Sequence, residues 1–227
     1  VPPVFDFGSL QPIDDVGYAV LESQLQYTPS NSEPSVTRQE STNPAWTREM
    51  VTLPTGYDGA SFNVELFLPT GTKPPYQIVL FFPHSAYFDI KQRVDEFDPA
   101  AYSSPIDFLT KSGRALAVVA FDGMFERNWS QDEQQKLTRL EKYRLRLRHH
   151  RQDLGRTLDY LATREDIDAT RIGVLAVSFG AAQMIPLLAV EPRVGAGVLI
   201  GGGAVALGDP PPPDAPTPAA QNVPTVP

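Results

Sequence analysis

The sequence contains no cysteine, and this absence narrows the chemistry open to the chain. Without thiols it can form no disulfide, no thiolate zinc site and no cysteine nucleophile. Histidine is scarce as well, because His84, His149 and His150 are the only three in 227 residues. Basic residues are outnumbered, with 19 Lys and Arg against 27 Asp and Glu and a net charge of −8. We therefore expect neither nucleic acid nor an anionic membrane as a partner.

Long uncharged runs are also rare. The longest, from Ile172 to Val190, has the length of a transmembrane span, but it contains a serine, a glutamine, a proline and two glycines. A buried strand followed by a turn and a helix explains this run better, so a membrane-anchored fragment is our least favoured hypothesis. Residues 1–20 lack the basic start and apolar run of a secretory signal peptide, and the compartment stays open.

The ends of the chain differ in composition from its middle. Prolines crowd both ends, and the chain begins without Met, so we interpret it as a piece of a longer protein. We expect residues 1–45 to form a polar linker or N-terminal extension with a short helix near 16–26. Residues 46–208 are expected to form the folded domain, and residues 209–227 a Pro-rich loop.

Two kinds of strand pattern occupy the middle of the chain. Residues 49–53 and 62–68 alternate between apolar and polar side chains and flank a turn cluster at 54–59, which predicts a β-hairpin. Four nearly continuous apolar runs follow, at residues 77–82, 115–121, 172–177 and 196–200. Such runs are typical of parallel strands that are covered on both faces.

Helical patterns separate these strands. A short helix is expected at 104–111, and a long one begins at Ser130, where Ser130 and Glu133 form a capping box and leucines follow at helical spacing. The alternation of strands and helices predicts an α/β fold. Its mostly parallel sheet has an antiparallel N-terminal hairpin and lies between two layers of helices.

The candidate chemistry lies in Ala176-Val177-Ser178-Phe179-Gly180. A small-x-Ser-x-Gly pattern between a buried strand and a helix is typical of a nucleophile elbow. The sharp turn lifts the serine hydroxyl clear of the backbone, and small flanking residues let strand and helix approach. The helix N-terminus then directs N–H groups and its positive dipole end at a developing oxyanion. The alternative is a tight strand–helix turn with a structural serine.

The loop after the 77–82 strand, Pro83-His84-Ser85-Ala86, complements this motif. In a sheet of this class that loop supplies a second oxyanion donor. We therefore predict that the backbone N–H groups of Phe179 and Ser85 form the oxyanion hole. The alternative is an ordinary surface loop.

Further blocks of sequence carry a resemblance to a known family. They lie at residues 73–77, 108–116, 126–127, 151–161, 164–168 and 190–193. Together with the elbow, they resemble the α/β-hydrolase domain of the dienelactone hydrolase and acetyl xylan esterase type, which in bacteria often lies C-terminal to a serine/threonine kinase domain. The resemblance extends from about Tyr18 to the last residue.

This resemblance implies a three-layer α/β-hydrolase fold whose C-terminal strands are missing, with residues 209–227 leading towards them. It also implies a serine hydrolase that acts on small-molecule carboxylic esters with Ser178 as nucleophile. No cofactor or metal would be needed, and a kinase domain would lie in the same parent polypeptide.

The catalytic triad is incomplete in this sequence. In this fold the acid and the histidine follow the nucleophile, but no histidine follows Ser178. His84 is a weak candidate for the base, since the family prefers glycine at this position. Asp209 is a candidate acid with no histidine to orient.

The remaining ionisable residues of the middle of the chain have ordinary interpretations. His149 and His150 are adjacent on a helix and point in different directions, so we expect no shared metal. We interpret the surrounding arginines as a solvated helix face, and Asp122 and Asp153 as loop and helix-surface residues.

Two hypotheses remain for the function. The first is a serine esterase or related acyl hydrolase that is inactive as this chain alone. The second is a non-catalytic binding or regulatory module that retains the hydrolase fold. In either case the apolar strand at 196–200 would lie exposed at a sheet edge. We expect the isolated chain to be marginally stable or prone to aggregate unless a second polypeptide supplies the remaining strands.

Overall fold

The computed structural model describes residues 11–29, 33–39, 43–88 and 103–202. The predicted Pro-rich loop at 209–227 and the candidate acid Asp209 lie outside these residues. The helices are α1 Asp15–Gln24, α2 Ser103–Lys111, α3 Gln131–Gln135, α4 Arg139–Ala162 and α5 Phe179–Ala189. The strands are β1 Ser35–Gln39, β2 Trp46–Pro54, β3 Ser61–Pro69, β4 Tyr76–Phe82, β5 Ala115–Val119, β6 Ile167–Val177 and β7 Val194–Ile200.

The described strands form one mixed sheet in the order β1-β2-β3-β5-β4-β6-β7. The pairs β1–β2, β2–β3 and β3–β5 are antiparallel, and the remaining pairs are parallel. This confirms the predicted α/β sheet with an antiparallel start. The central strands form the core, because all five residues of β5 are buried, as are Phe67 and Ile78 on the neighbouring strands.

The direction of the crossovers places the helices on opposite faces of the sheet. The connection from β4 through α2 to β5 moves towards β3, whereas the connections through α4 and α5 move the other way, towards β7. Since crossovers between parallel strands are right-handed, helices that travel in opposite directions cover opposite faces. The carboxyl ends of β4, β5 and β6 therefore lie together at one end of the sheet, between the two helix layers.

The segment predicted as one long helix is two helices. The capping box of Ser130 and Glu133 is present, but α3 ends at Gln135. A second box, in which Thr138 and Glu141 hydrogen bond reciprocally, then begins α4. Thr138 has an extended ψ of 164°, so the chain leaves the helical conformation between the two caps.

Part of the polar segment 1–45 packs on the domain. β1 pairs with β2 along its length. Before it, the N-terminal segment (residues 18–28) crosses α4 and α5: Tyr18 Oη donates to the carbonyl of Ala189 at 2.8 Å, and Arg151 Nε donates to the carbonyl of Leu25 at 3.1 Å. Composition predicted a linker here, but these hydrogen bonds attach part of the segment to the folded domain. The domain boundaries stay predictions.

At the other end of the sheet, β7 has a largely exposed surface. Every residue of β7 except Val194 is exposed, and 57% of Val198 and 52% of Ile200 are accessible to solvent. An apolar groove of about 700 Å³ runs beside these residues and is also lined by Phe108 of α2. The described structure thus has the exposed apolar strand expected from the sequence.

Candidate active site

Ser178 lies at the junction of β6 and α5, at the end of the sheet where the parallel strands terminate. Its backbone has a φ of 54° and a ψ of −117°, a conformation that non-glycine residues rarely adopt. Two hydrogen bonds hold it there: the Ser178 N–H donates to the carbonyl of Ile200 at 2.7 Å, and the Ala182 N–H donates to the Ser178 carbonyl at 3.1 Å. The residue is exposed, so its hydroxyl is accessible.

Small residues on either side of Ser178 permit this turn. A Cβ atom built on Gly180 would lie 2.6 Å from the carbonyl oxygen of Phe82 and would also clash with that of Pro83. Ala176 is fully buried within β6. The α5 helix therefore approaches the end of β4 so closely that only glycine fits at position 180.

This close approach brings the two predicted oxyanion donors to the same region. Phe82 pairs with Ala176 across the parallel strands β4 and β6, so the residues that follow each strand leave the sheet side by side. Phe179 begins α5, where N–H groups have no intrahelical acceptor. Ser85 is exposed, and its N–H has no hydrogen-bond partner among the described residues. Their joint role in an oxyanion hole stays a prediction.

His84, the candidate base, is half-buried on the same loop. Its Nδ1 accepts a hydrogen bond from the backbone N–H of Ala86 at 3.2 Å. In a neutral imidazole this bond places the proton on Nε2. A base that acts through Nε2 would need that nitrogen unprotonated, so the observed hydrogen bond disfavours this role for His84.

The other two histidines bind Asp122, the residue that follows β5 by three positions. His149 Nδ1 lies 2.8 Å from the Asp122 carboxylate, and His150 Nε2 lies 2.8 Å from the Asp122 carbonyl. Burial raises the pKa of Asp122, but hydrogen bonds from His149 and Trp129 outweigh it, so that pKa lies below the ordinary value. Sequence reasoning treated Asp122 as a loop residue and missed this pair.

Asp153 is not on the helix surface, as the sequence suggested, but fully buried. Its Oδ2 accepts hydrogen bonds from Arg127 Nη1 at 2.6 Å and from the Asp122 N–H at 3.0 Å. Tyr57 Oη donates to its Oδ1 at 3.2 Å and is also bound by Arg127. A buried carboxylate is tolerated here because three donors surround it.

The arginine-rich face of α4 is likewise only partly solvated. Arg144 and Arg148 are exposed, as expected. Arg151, however, is buried and donates to Glu191 at 2.9 Å. The prediction of a solvated face is therefore wrong for Arg151, since its partners on other elements were not visible in the helix pattern.

The described part of the chain has neither a cluster of metal-ligating side chains nor a helix that could span a membrane. Within residues 11–29, 33–39, 43–88 and 103–202, no group of three or more metal-ligating side chains converges. Among the helices in these ranges, none is both apolar enough and long enough to cross a bilayer. The uncharged run from Ile172 to Val190 forms most of β6 together with α5.

The structure of the chain, but not its sequence, matches known proteins. No family model and no curated protein sequence matches the chain. Solved structures do match. An acetyl xylan esterase from Paenibacillus sp. R4 superposes with a TM-score of 0.58 at 18% identity, covering 82% of this chain and 57% of that one.

Two further structures show the same relationship. A glucuronoyl esterase from Solibacter usitatus gives a TM-score of 0.56 at 15% identity, covering 85% of this chain and 60% of that one. A dienelactone hydrolase-like promiscuous phosphotriesterase from metagenomic libraries gives 0.51 at 20% identity, covering 70% and 61%. The chain thus spans less than two thirds of the length of these structures. The shared architecture shows that this chain has the fold of these structures, the α/β-hydrolase fold.

Proposed function

We propose that the chain is the nucleophile-bearing part of a serine hydrolase that cleaves small-molecule carboxylic esters. The observation that carries this proposal is the backbone of Ser178, which has a positive φ, is exposed and immediately precedes α5. A strained conformation of this kind persists only where the surrounding structure enforces it, and such strain concentrates at functional sites.

The proposed reaction is acyl transfer in two steps. Ser178 Oγ attacks the ester carbonyl while a base accepts its proton, and the carbonyl oxygen becomes an oxyanion. The N–H groups of Phe179 and Ser85 would donate to that oxyanion, which then collapses to an acyl-serine as the alcohol leaves with a proton. Water hydrolyses the acyl-serine by the same sequence and regenerates Ser178.

This chain does not provide the base in the order typical of the fold. No histidine follows Ser178 in the sequence, and His149 and His150 both bind Asp122. We place the acid and the histidine of the triad in polypeptide outside these 227 residues. The chain alone is then inactive, because an unassisted serine hydroxyl is a weak nucleophile.

A fluorophosphonate probe tests this proposal, since it reacts covalently with activated serines. In the longest natural polypeptide that contains this chain, we expect labelling at Ser178, loss of labelling in Ser178→Ala, and unchanged labelling in Ser23→Ala, which alters an exposed serine of α1. The 227-residue chain alone should react with the probe at least about 100-fold more slowly, as expected without a general base.

A second candidate function is a non-catalytic binding or regulatory module. It is favoured by the Ser178 side chain, which has no hydrogen-bond partner among the described residues, and by the tautomer of His84. If the longer polypeptide is folded but its Ser178 is not labelled, the hydrolase proposal is wrong and this alternative is supported.

A further inference from the structure

A pocket separate from the groove beside β7 lies at the carboxyl end of the parallel strands, and Ser178 does not line it. Its volume is about 540 Å³, and its walls come from the β2–β3 turn, the segment after β5, and helices α3 and α4. We call it the His149 pocket, because His149 and its partner Asp122 line it. This volume lies within the range of pockets that bind small organic molecules.

The hydrogen bonds of Asp122 determine which nitrogen of His149 carries the proton. Asp122 Oδ2 lies 2.8 Å from His149 Nδ1, and Asp122 Oδ1 accepts from Trp129 Nε1 at 3.1 Å. The low pKa of Asp122 keeps its carboxylate ionised, so it can only accept hydrogen bonds. Nδ1 of His149 must therefore be the donor, and in the neutral imidazole Nε2 is left as an acceptor.

The orientation of the His149 ring is fixed from a second direction. The ring stacks on Tyr57 with centroids 3.8 Å apart and an interplanar angle of 3°. Tyr57 is itself held by Arg127 and Asp153. The His149 side chain is 21% exposed, and its Nε2 has no partner among the described residues. A ring that lines a pocket, is held so firmly and in its neutral form has an acceptor nitrogen with no described partner has the arrangement of a ligand-binding group.

Other acceptors in the wall of the His149 pocket are also unused. Asn128 Oδ1 is buried and has no hydrogen-bond partner in the described part of the chain. Asp58 and Glu133 each use one carboxylate oxygen in local hydrogen bonds, which leaves the second oxygen available. A buried acceptor without a donor is costly, so a ligand that supplies donors would be stabilised here.

Donors are fewer among the described lining residues. Arg127 is committed to Asp153, to Tyr57 and to the carbonyl of Ala120. Lys136 also lines the pocket, and its ammonium makes no hydrogen bond to another described residue. The excess of acceptors and carboxylates favours a ligand rich in O–H and N–H groups with a positive charge over an anionic one.

From this geometry we propose that the His149 pocket binds a small amino alcohol or amino sugar, with a ligand hydroxyl or ammonium donating to His149 Nε2. The ammonium charge is balanced by Asp58 and Glu133. The inference does not depend on the chemistry of Ser178, because that residue is not part of the pocket.

Titration calorimetry and ligand-observed NMR on the 227-residue chain test this proposal with three matched probes. Glucosamine carries hydroxyls and an ammonium, glucose has hydroxyls alone, and glucuronate has hydroxyls and a carboxylate. We expect glucosamine to bind most tightly, glucose more weakly and glucuronate most weakly. No binding of glucosamine at about 10 mM, or glucuronate binding as tightly as glucosamine, would overturn the proposal.

Variants separate the role of His149 from a general effect on folding. His149→Asn retains a donor for Asp122 but lacks Nε2, and we expect glucosamine affinity to fall about tenfold or more, the value of one hydrogen bond. Arg148→Ala changes an exposed neighbour on the same helix and should leave affinity unchanged. Unchanged affinity in a folded His149→Asn variant contradicts the proposal.

A second variant gives a result even if His149→Asn does not fold. Asp58 is exposed, and asparagine can keep its hydrogen bonds from Thr55 and the Ala60 N–H. We expect Asp58→Asn to weaken glucosamine binding about threefold or more and to weaken glucose binding less, because the ammonium loses an opposite charge whereas both sugars lose one acceptor oxygen. Equal effects on the two sugars, or none on either, would overturn the assignment of the ammonium.

Discussion

At the scale of single residues, the backbone of Ser178 depends on its surroundings. A non-glycine residue at positive φ costs on the order of 1–3 kcal/mol. Phe125 is the other such residue among those the structure describes. At Ser178 the cost is offset by hydrogen bonds to β7 and within α5, and by the contact of Gly180 with the end of β4. The position of the serine hydroxyl is therefore set by neighbours rather than by the serine itself.

Gly180→Ala tests this dependence. The added methyl group would overlap the carbonyl oxygens of Phe82 and Pro83, and backbone atoms cannot move aside without disturbing β4. We expect the free energy of unfolding to fall by about 2 kcal/mol or more, measured by urea denaturation. Gly71→Ala is the control, because nothing lies within 4 Å of a Cβ there. Equal stability of the two variants would contradict a close approach of α5 to β4.

Residue patterns predicted the elbow but not the hydrogen bonds of Asp122 and Asp153 with distant residues. The elbow is local, since five consecutive residues between a strand and a helix contain its geometry. The partners of Asp153, by contrast, come from Tyr57 and Arg127, far apart in the chain. A carboxylate on an arginine-rich helix is typical of a solvated surface, and only the packing of other elements against it reveals burial.

At the scale of elements, helix boundaries followed local hydrogen-bond chemistry more closely than apolar spacing. The leucine stripe suggested one helix from Ser130, but a second capping pair, Thr138 and Glu141, divides it. Thr-x-x-Glu at 138–141 was a readable signal of a helix start. β1 was missed for the opposite reason, because its residues are mostly polar and exposed and only pairing with β2 makes them a strand.

The packing of α4 against the strand ends predicts a pH dependence of stability. His150 is fully buried against Phe82 and Phe121, and burial lowers its pKa from 6.5 to about 4. Between these values the unfolded chain binds a proton that the folded protein does not. The contribution of His150 to stability is therefore constant above pH 6.5 and is lost as the pH falls towards 4, by up to about 3 kcal/mol. Burial raises the pKa of Asp153 to about 6, and this carboxyl contributes with the opposite sign below that pH, so the effect of His150 is measured against a variant.

His150→Gln isolates this contribution. Glutamine can donate to the Asp122 carbonyl as Nε2 of His150 does, but it does not titrate. We expect the unfolding free energies of the native protein and the variant, measured by denaturation at a series of pH values, to run parallel above pH 6.5. Below it, the native protein should lose stability relative to the variant. Parallel curves down to pH 4 would show that His150 is protonated in the folded state.

At the scale of the whole molecule, the order of strand and helix patterns in the sequence predicted the fold class. Apolar runs predicted the buried strands β4, β5, β6 and β7, and their alternation with helices predicted the layered sheet that the structure confirms. The strand order was not readable, because β3 pairs with β5 rather than β4, and pairing between distant segments depends on the whole sheet.

The exposed strand β7 predicts self-association of the chain. Among the described residues no strand pairs with the outer edge of β7, and apolar residues on such an edge favour pairing with another molecule. Sedimentation velocity should show concentration-dependent oligomers of the native chain, and Val198→Lys combined with Ile200→Lys should shift the protein towards monomer. Val36→Lys, on β1 at the opposite edge and 46% exposed, is the control and should have little effect. A native chain that is monomeric at every concentration would contradict this prediction.

The N-terminal segment has a consequence for how the chain is made. Arg151 binds the carbonyl of Leu25 across a separation of 126 residues, and the ring of Tyr27 covers Gly155 on the same helix. During synthesis on the ribosome this segment emerges before α4, and Arg151 of its docking surface on α4 is translated 126 residues after Leu25. Nascent chains stalled before Arg151 must therefore hold Tyr27 in water, and its attachment can follow only after α4 has left the exit tunnel.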